Sequence, residues 1–235
     1  MKLAELSLFF PAYNEAKNIS TTVEKALAVL PKVATKWELL IINDGSKDNT
    51  KEVIASLAKK HKGVRAINHP VNRGYGAALK TGFAESKYEW VVFTDSDGQF
   101  DFSEVTHFIE KQKETDADLV VGYYKKRQVS KLKILTSKMW EAAVFVLFGL
   151  RVHDIDCGFK FIRKSVINKV SPLESERGAF ISSEFLIKAR RANFKIVEIP
   201  ITHYARLAGE GTGRKLNVII QSFIDLGKLW IKLQQ

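Results

Sequence analysis

Two aspartates one residue apart, Asp95 and Asp97, follow the apolar run Trp90–Thr94 within the string Asp95-Ser96-Asp97-Gly98-Gln99. Carboxylates at a strand end can converge on one hard cation once the chain turns, and Gln99 adds a neutral oxygen. Mg2+ or Mn2+ held by one or two carboxylates plus substrate phosphates uses ligands of this kind. Asp, Ser and Gly also suit a helix cap and a turn, so the string alone leaves both roles open. A second polar cluster, Asn43-Asp44-Gly45-Ser46-Lys47-Asp48-Asn49-Thr50, follows the apolar Leu39–Ile42. Asp44 could accept hydrogen bonds from a base edge or ribose, and the Gly45-Ser46 turn brings backbone N–H groups near an anion. Capping by Ser46 or Asp48 is compatible with that role.

Other clusters carry less chemistry each. Gly74 and Gly76, with Asp95 downstream, imitate a dinucleotide fingerprint, but Leu79 stands where its third glycine belongs and the motif does not open the fold. Asp154-Ile155-Asp156-Cys157-Gly158-Phe159-Lys160 sets two carboxylates beside a glycine turn, and Glu184 follows Phe180–Ser183. His203-Tyr204-Ala205-Arg206 leads into the glycine-rich basic stretch Gly209–Lys215, which could close over a diphosphate. His203 reads better as a lone satisfied histidine than as a base, and no Ser/His/Asp or Cys/His set assembles around Cys157.

The elements that must position these groups alternate along residues 1–94. Strand-like Leu6–Phe10, Glu38–Asn43, Val64–Asn68 and Trp90–Thr94 are separated by helix-like Ala16–Leu30, Asp48–His61 and Gly76–Ser86. This rhythm predicts βαβ units, a mostly parallel central sheet flanked by helices, and a ligand crevice beyond the carboxyl ends of the strands. Three strand ends run straight into polar clusters, at Pro11–Asn18, Asn43–Thr50 and Asp95–Gln99. No apolar run is long enough to cross a bilayer.

With 46% hydrophobic and 27% charged residues in 235, the chain is globular, not disordered or fibrous. Its one cysteine excludes an internal disulfide framework and points to a reducing compartment, and the N-terminus reads as a first strand, not a signal peptide. Residues 1–121 hold 16 Lys/Arg against 17 Asp/Glu, which leaves 21 against 9 in residues 122–235. So one-sided a charge attracts phosphate of some kind, although helix-turn-helix, aromatic RNA-binding and zinc signatures are all lacking. No nucleic-acid partner is expected. Met139–Leu150 is apolar nearly all round and follows a basic run, so it is either core or a helix lying in a membrane interface.

Taken in order, Pro11-Ala12-Tyr13-Asn14-Glu15, Asn43-Asp44-Gly45-Ser46, Asn72 with Gly74 and Gly82, Asp95-Ser96-Asp97-Gly98-Gln99 and Asp156-Cys157-Gly158-Phe159-Lys160 resemble family-two glycosyltransferases of the GT-A fold. Within them the chain is most similar to the polyprenyl-phosphate sugar transferases, of the dolichol-phosphate mannosyl and dolichyl-phosphate glucosyl kinds, over about residues 5–215. The resemblance implies a single catalytic domain over 1–235, with 1–121 binding nucleotide-sugar and 122–235 facing acceptor and membrane. It implies that Pro11, Tyr13, Glu15 and Asp44 line the nucleotide pocket. Asp95, Asp97 and Gln99 would hold Mg2+ or Mn2+, and Arg206 would join Asp95 and Asp97 in catalysis as a phosphate clamp. Lys133 and Ser137 stand where relatives receive the lipid phosphate, with Lys in place of the more usual Arg, and Asn43 departs from the commoner Asp-Asp pair.

The implied reaction moves a hexose, glucose or mannose, from UDP- or GDP-sugar to a polyprenyl phosphate with inversion, at the cytoplasmic membrane face, by a peripherally attached enzyme. A phosphate monoester is largely ionised at neutral pH, so it needs no strong general base. Were the acceptor a saccharide or protein hydroxyl, a base would be needed, and Asp156 or Glu184 would supply it. A nucleotidyltransferase is the more distant alternative.

Overall fold

The computed structural model describes residues 2–125, 131–176, 180–205 and 216–234, with the side chains of 131–136 and 216–221 outside the description. Strands β1 (Leu3–Ala12), β2 (Ala34–Asn43), β3 (Val64–Asn68) and β4 (Trp90–Phe93) alternate with helices α1 (Ile19–Val33), α2 (Thr50–Lys60) and α3 (Tyr75–Glu85). Then follow α4 (Val105–Thr115), β5 (Leu119–Tyr124), α5 (Lys131–Phe148), β6 (Lys160–Arg163), α6 (Lys164–Val170), α7 (Phe180–Arg191), β7 (Ile196–Ile201) and α8 (Leu216–Gln234). The expected βαβ rhythm is present, with α1 starting three residues late because Glu15 O takes the Asn18 and Ile19 N–H groups outside the helix.

The seven strands form one sheet in the order β3-β2-β1-β4-β6-β5-β7. All pairings are parallel except those of β6, which runs antiparallel to both β4 and β5. Strand order reverses between β1 and β4, where Phe9 pairs with Phe93. That reversal opens a crevice at the carboxyl ends of these two strands, the place where open α/β sheets bind ligands.

Both faces of the sheet are buried, as parallel sheets require. Leu6, Leu8 and Phe10 of β1 pack under α1, α2 and α4 with Ile19, Val23, Ile54 and Phe108. Phe9 faces the other way, toward α3, α6 and α7, among Leu79, Phe83, Phe93, Ile181 and Phe185. Gly82 lets α3 approach the sheet so closely that a Cβ there would lie 2.3 Å from the Phe9 ring.

Met139–Leu150 is core along one side only. Val144 and Leu150 are buried, whereas Met139, Phe145, Val146 and Leu147 are exposed, Val146 by 78%. Trp140 of α5 meets Phe223 of α8 edge to face at 5.0 Å, and Phe223, Ile224, Trp230 and Ile231 extend the exposed apolar surface along α8.

Candidate active site

Three loops leave the carboxyl ends of β1, β2 and β4 and are tied to one another before any ligand is considered. Asn14 has φ +57, a left-handed turn that Asn tolerates, and places its own N–H 2.9 Å from Ser46 Oγ and its Oδ1 2.8 Å from Lys47 N. Glu15 N donates to Thr50 Oγ1 at 2.9 Å and Ala16 N to Asp48 Oδ2 at 3.2 Å. Burial raises the Asp48 pKa, but hydrogen bonds from Thr50 and Ala16 outweigh it and hold the carboxyl below its ordinary value. On the other side Ser96 Oγ donates 2.7 Å to Pro11 O, fixing the acidic loop after β4 against the end of β1.

The acids of these loops differ in burial and in the donors they meet; Asp97 is buried and Asp95 half-buried. Asp44 is 3% exposed, and its carboxylate accepts from His69 Nδ1 at 2.7 Å, Arg73 N at 2.9 Å, Gly74 N at 2.7 Å and Asn72 Nδ2 at 2.9 Å. Asp44, the residue expected in the nucleotide pocket, gathers the 72–74 loop around itself. Glu15 is 8% exposed and accepts from Asn18 Nδ2 at 2.7 Å, so it too braces its loop. Pro11 is buried at the end of β1, and Tyr13 is half-buried at the rim between the β1 and β2 loops.

Asp95 and Asp97 follow β4 as expected, and the helix-cap reading of them is overturned. No helix starts at this string; the cap of the next turn is Asp101, whose carboxylate accepts from Ser103 N at 2.9 Å. Asp97 Oδ1 accepts from Gln99 N at 3.0 Å, and Asp95 Oδ1 accepts from Tyr75 Oη at 3.1 Å. Burial and the adjacent Asp95 charge drive the Tyr75 hydroxyl pKa well up, so it stays a donor. Gly158 touches Asp95 so closely that a Cβ would stand 2.4 Å from Oδ2. Gln99 reaches the site, but its amide nitrogen donates to Tyr204 O at 3.0 Å while Tyr204 N returns a bond to Gln99 O.

Among the described residues, no group of three or more His, Cys, Asp or Glu side chains converges to hold a metal ion alone. The Asp95 and Asp97 pair fits Mg2+ or Mn2+, ions that take one or two protein carboxylates and fill the remaining positions with water and phosphate oxygens.

Asp156 is exposed on the turn next to Asp95, whereas Glu184 lies 1% exposed in α7. Glu184 accepts from Glu174 N, Ser175 N and Lys188 Nζ at 2.8, 2.9 and 2.7 Å, and these bonds override burial to hold its pKa low. The expectation of Glu184 as a base is therefore corrected: it anchors the 174–176 segment. Burial pushes the Cys157 thiol up to about 12, which leaves it inert. His203 packs against Tyr124 and Phe100 at 4.4 and 5.5 Å between ring centroids. Ser137 is half-buried on α5; the Lys133 side chain and all of Arg206 lie outside the described residues. Sequence reasoning missed Tyr75, which stood inside a motif weighed only for its glycines, and Lys160, which ended another.

A family description, Glycosyl transferase family 2, matches residues 7–171. The chain belongs to that family. It is 32% identical to dolichyl-phosphate beta-glucosyltransferase ALG5A of Trichomonas vaginalis, over 96% of this chain and 73% of that one. Identity to the dolichyl-phosphate beta-glucosyltransferase of Saccharomyces cerevisiae is 29%, over 92% and 70%. To the dodecaprenyl-phosphate galacturonate synthase of Rhizobium johnstonii it is 28%, over 92% and 64%. The fold matches glucosyl-3-phosphoglycerate synthase of Mycobacterium tuberculosis, solved with Mn2+, UDP and phosphoglyceric acid, at a TM-score of 0.73, 20% identity, and coverage of 97% and 78%. The family-two chain thus has the α/β GT-A fold expected of it.

Proposed function

We propose that this glycosyltransferase moves glucose from a nucleoside diphosphate, UDP or GDP, to a polyprenyl phosphate with inversion at the anomeric carbon. The observation that carries this reading is the Asp95–Asp97 pair at the β1/β4 switch point, in a chain whose curated relatives are polyprenyl-phosphate sugar transferases. Those relatives are glucosyl and galacturonate enzymes, which favours glucose over the mannose that the motifs alone allowed equally.

Asp95 and Asp97 would hold Mg2+ or Mn2+, which when bound neutralises charge building on the departing diphosphate. Tyr75 and Gly158 fix Asp95, and Ser96 fixes the loop that carries both acids. The rim between Tyr13 and the 72–74 loop would receive the nucleoside, with Asp44 shaping that rim from beneath. Arg206, Lys133 and Ser137 would receive phosphates, and Gln99 would add an oxygen at the cation while tethering the segment that leads to Arg206. The acceptor phosphate arrives ionised, so the chain needs to align two anions in line more than to remove a proton. Attachment would be peripheral, at a cytoplasmic membrane face, through the exposed apolar sides of α5 and α8.

Incubation of the protein with labelled UDP-glucose, GDP-glucose or GDP-mannose, Mn2+, and either polyprenyl phosphate or free oligosaccharide tests this. Lipid-linked glucose and released nucleoside diphosphate are expected, with Asp97→Ala abolishing transfer while melting at the wild-type temperature. Label on the oligosaccharide alone would move the acceptor to a hydroxyl, for which exposed Asp156 is the remaining base. Release of pyrophosphate would indicate nucleotidyl transfer.

A further inference from the structure

Beneath the acidic loop lies a cation that sugar transfer does not itself require. Lys160, the first residue of β6, is 1% exposed. Its Nζ donates to Ile155 O at 3.3 Å and Cys157 O at 2.5 Å, and stands 5.4 Å from the centre of the Phe93 ring. The cavity it lines is otherwise apolar except for Ser182, with Leu79, Phe83, Ile181 and Phe185 around it. An ammonium buried there is costly unless its hydrogen bonds and nearby negative charges compensate. Burial lowers its pKa, and the Cys157, Asp156, Asp154 and Asp95 side chains push the other way.

The two carbonyls that Lys160 grips flank the start of the Gly158 turn, and that turn is in contact with Asp95. A Cβ on Gly158 would lie 2.4 Å from Asp95 Oδ2 and 3.0 Å from Oδ1, while Tyr75 Oη donates to Oδ1. We infer that Lys160 is a positioning residue: through the 155–158 turn it pins the Asp95 carboxylate where a divalent cation and a diphosphate must be held. This rests on the reading of Asp95 and Asp97 as the metal-binding pair.

The molecule contains its own control. Lys164 donates to Phe83 O and Ser86 O at 2.6 and 2.7 Å, the same carbonyl chemistry, but Glu38 is the charge it senses and no acid of the crevice is near it in the hydrogen-bond network. A lysine that only ties carbonyls together should behave like Lys164.

Mn2+ is titrated calorimetrically into the full chain with UDP, and separately with GDP, alongside thermal melts without metal. Lys160→Met is expected to weaken Mn2+-dependent nucleotide binding by about tenfold or more, the loss seen when a group that orients a ligand is removed. Gly158→Ala, which leaves Lys160 in place and displaces Asp95, should reproduce that loss. Lys164→Met should lower the melting temperature and leave Mn2+ binding within twofold of wild type, a threshold well inside the expected ~10-fold effect. Should Lys160→Met fail to fold, Lys160→Gln, which keeps a donor at the turn without its charge, is read in its place. A folded Lys160 variant binding Mn2+ and nucleotide as the wild type does overturns the inference. Absence of metal-assisted binding in the wild type overturns the reading of Asp95 and Asp97 beneath it.

Discussion

Carboxylates of one chemistry have different roles here because of which donors reach them. Asp44 meets four donors from residues 69–74, Glu184 meets two backbone N–H groups and Lys188, and Asp95 accepts from the Tyr75 hydroxyl at the end of β4. Sequence patterns located Asp95 and Asp97 correctly because a strand end precedes them. They could not show that Asp44 and Glu184 are held by internal donors, since those donors come from segments up to about thirty residues away whose conformation no local pattern reveals. Glu184→Gln is expected to cost about 1–3 kcal/mol, the range for a hydrogen bond to a buried charged group. The depressed Glu184 pKa makes its contribution complete above the ordinary 4.5 and lost as pH falls through the lower folded value. Urea denaturation across acidic pH should therefore show the wild type losing stability more steeply than Glu184→Gln, with the two curves converging at the acid end.

At the level of elements, the alternation of apolar runs and amphipathic stretches was enough to place β1 to β4 and α1 to α3. The reversal of β6 was not legible, because a four-residue buried strand carries the same apolar pattern in either direction. Its consequence is large, for it places the Gly158 turn and Lys160 against β4. The dinucleotide-fingerprint reading of the glycines around α3 fails on the sequence, and in the structure Gly82 serves packing: Phe9 is stacked on Phe93 at 5.4 Å and edge-on to Phe83 at 5.4 Å, so its ring cannot yield. Gly82→Ala gains about 1 kcal/mol of helix propensity. Overpacking of a closed core costs about 1–3 kcal/mol, so a net loss of stability is expected, seen as a lower melting temperature with unchanged helix content.

Over the whole molecule, charge and apolar exposure fall together. The half after Val121 carries the entire basic excess, and the exposed Phe145, Val146, Phe223, Ile224 and Ile231 belong to α5 and α8 of that same half. Composition made the charge asymmetry plain, while the choice between core and interface for Met139–Leu150 needed the packing of α8 to decide which side stays open. Sedimentation with vesicles containing anionic lipid should retain the wild type and weaken with salt. Phe145→Asp with Ile231→Asp should reduce retention more than removal of anionic lipid does, if apolar insertion supplies most of the attachment.

The stitches between Asn14–Ala16 and Ser46–Thr50 have a consequence for recognition. Chain ordering at that rim is completed during folding, before any donor sugar arrives. A nucleotide received there, as proposed, would meet a preorganised wall and spend little of its attraction on immobilising loops.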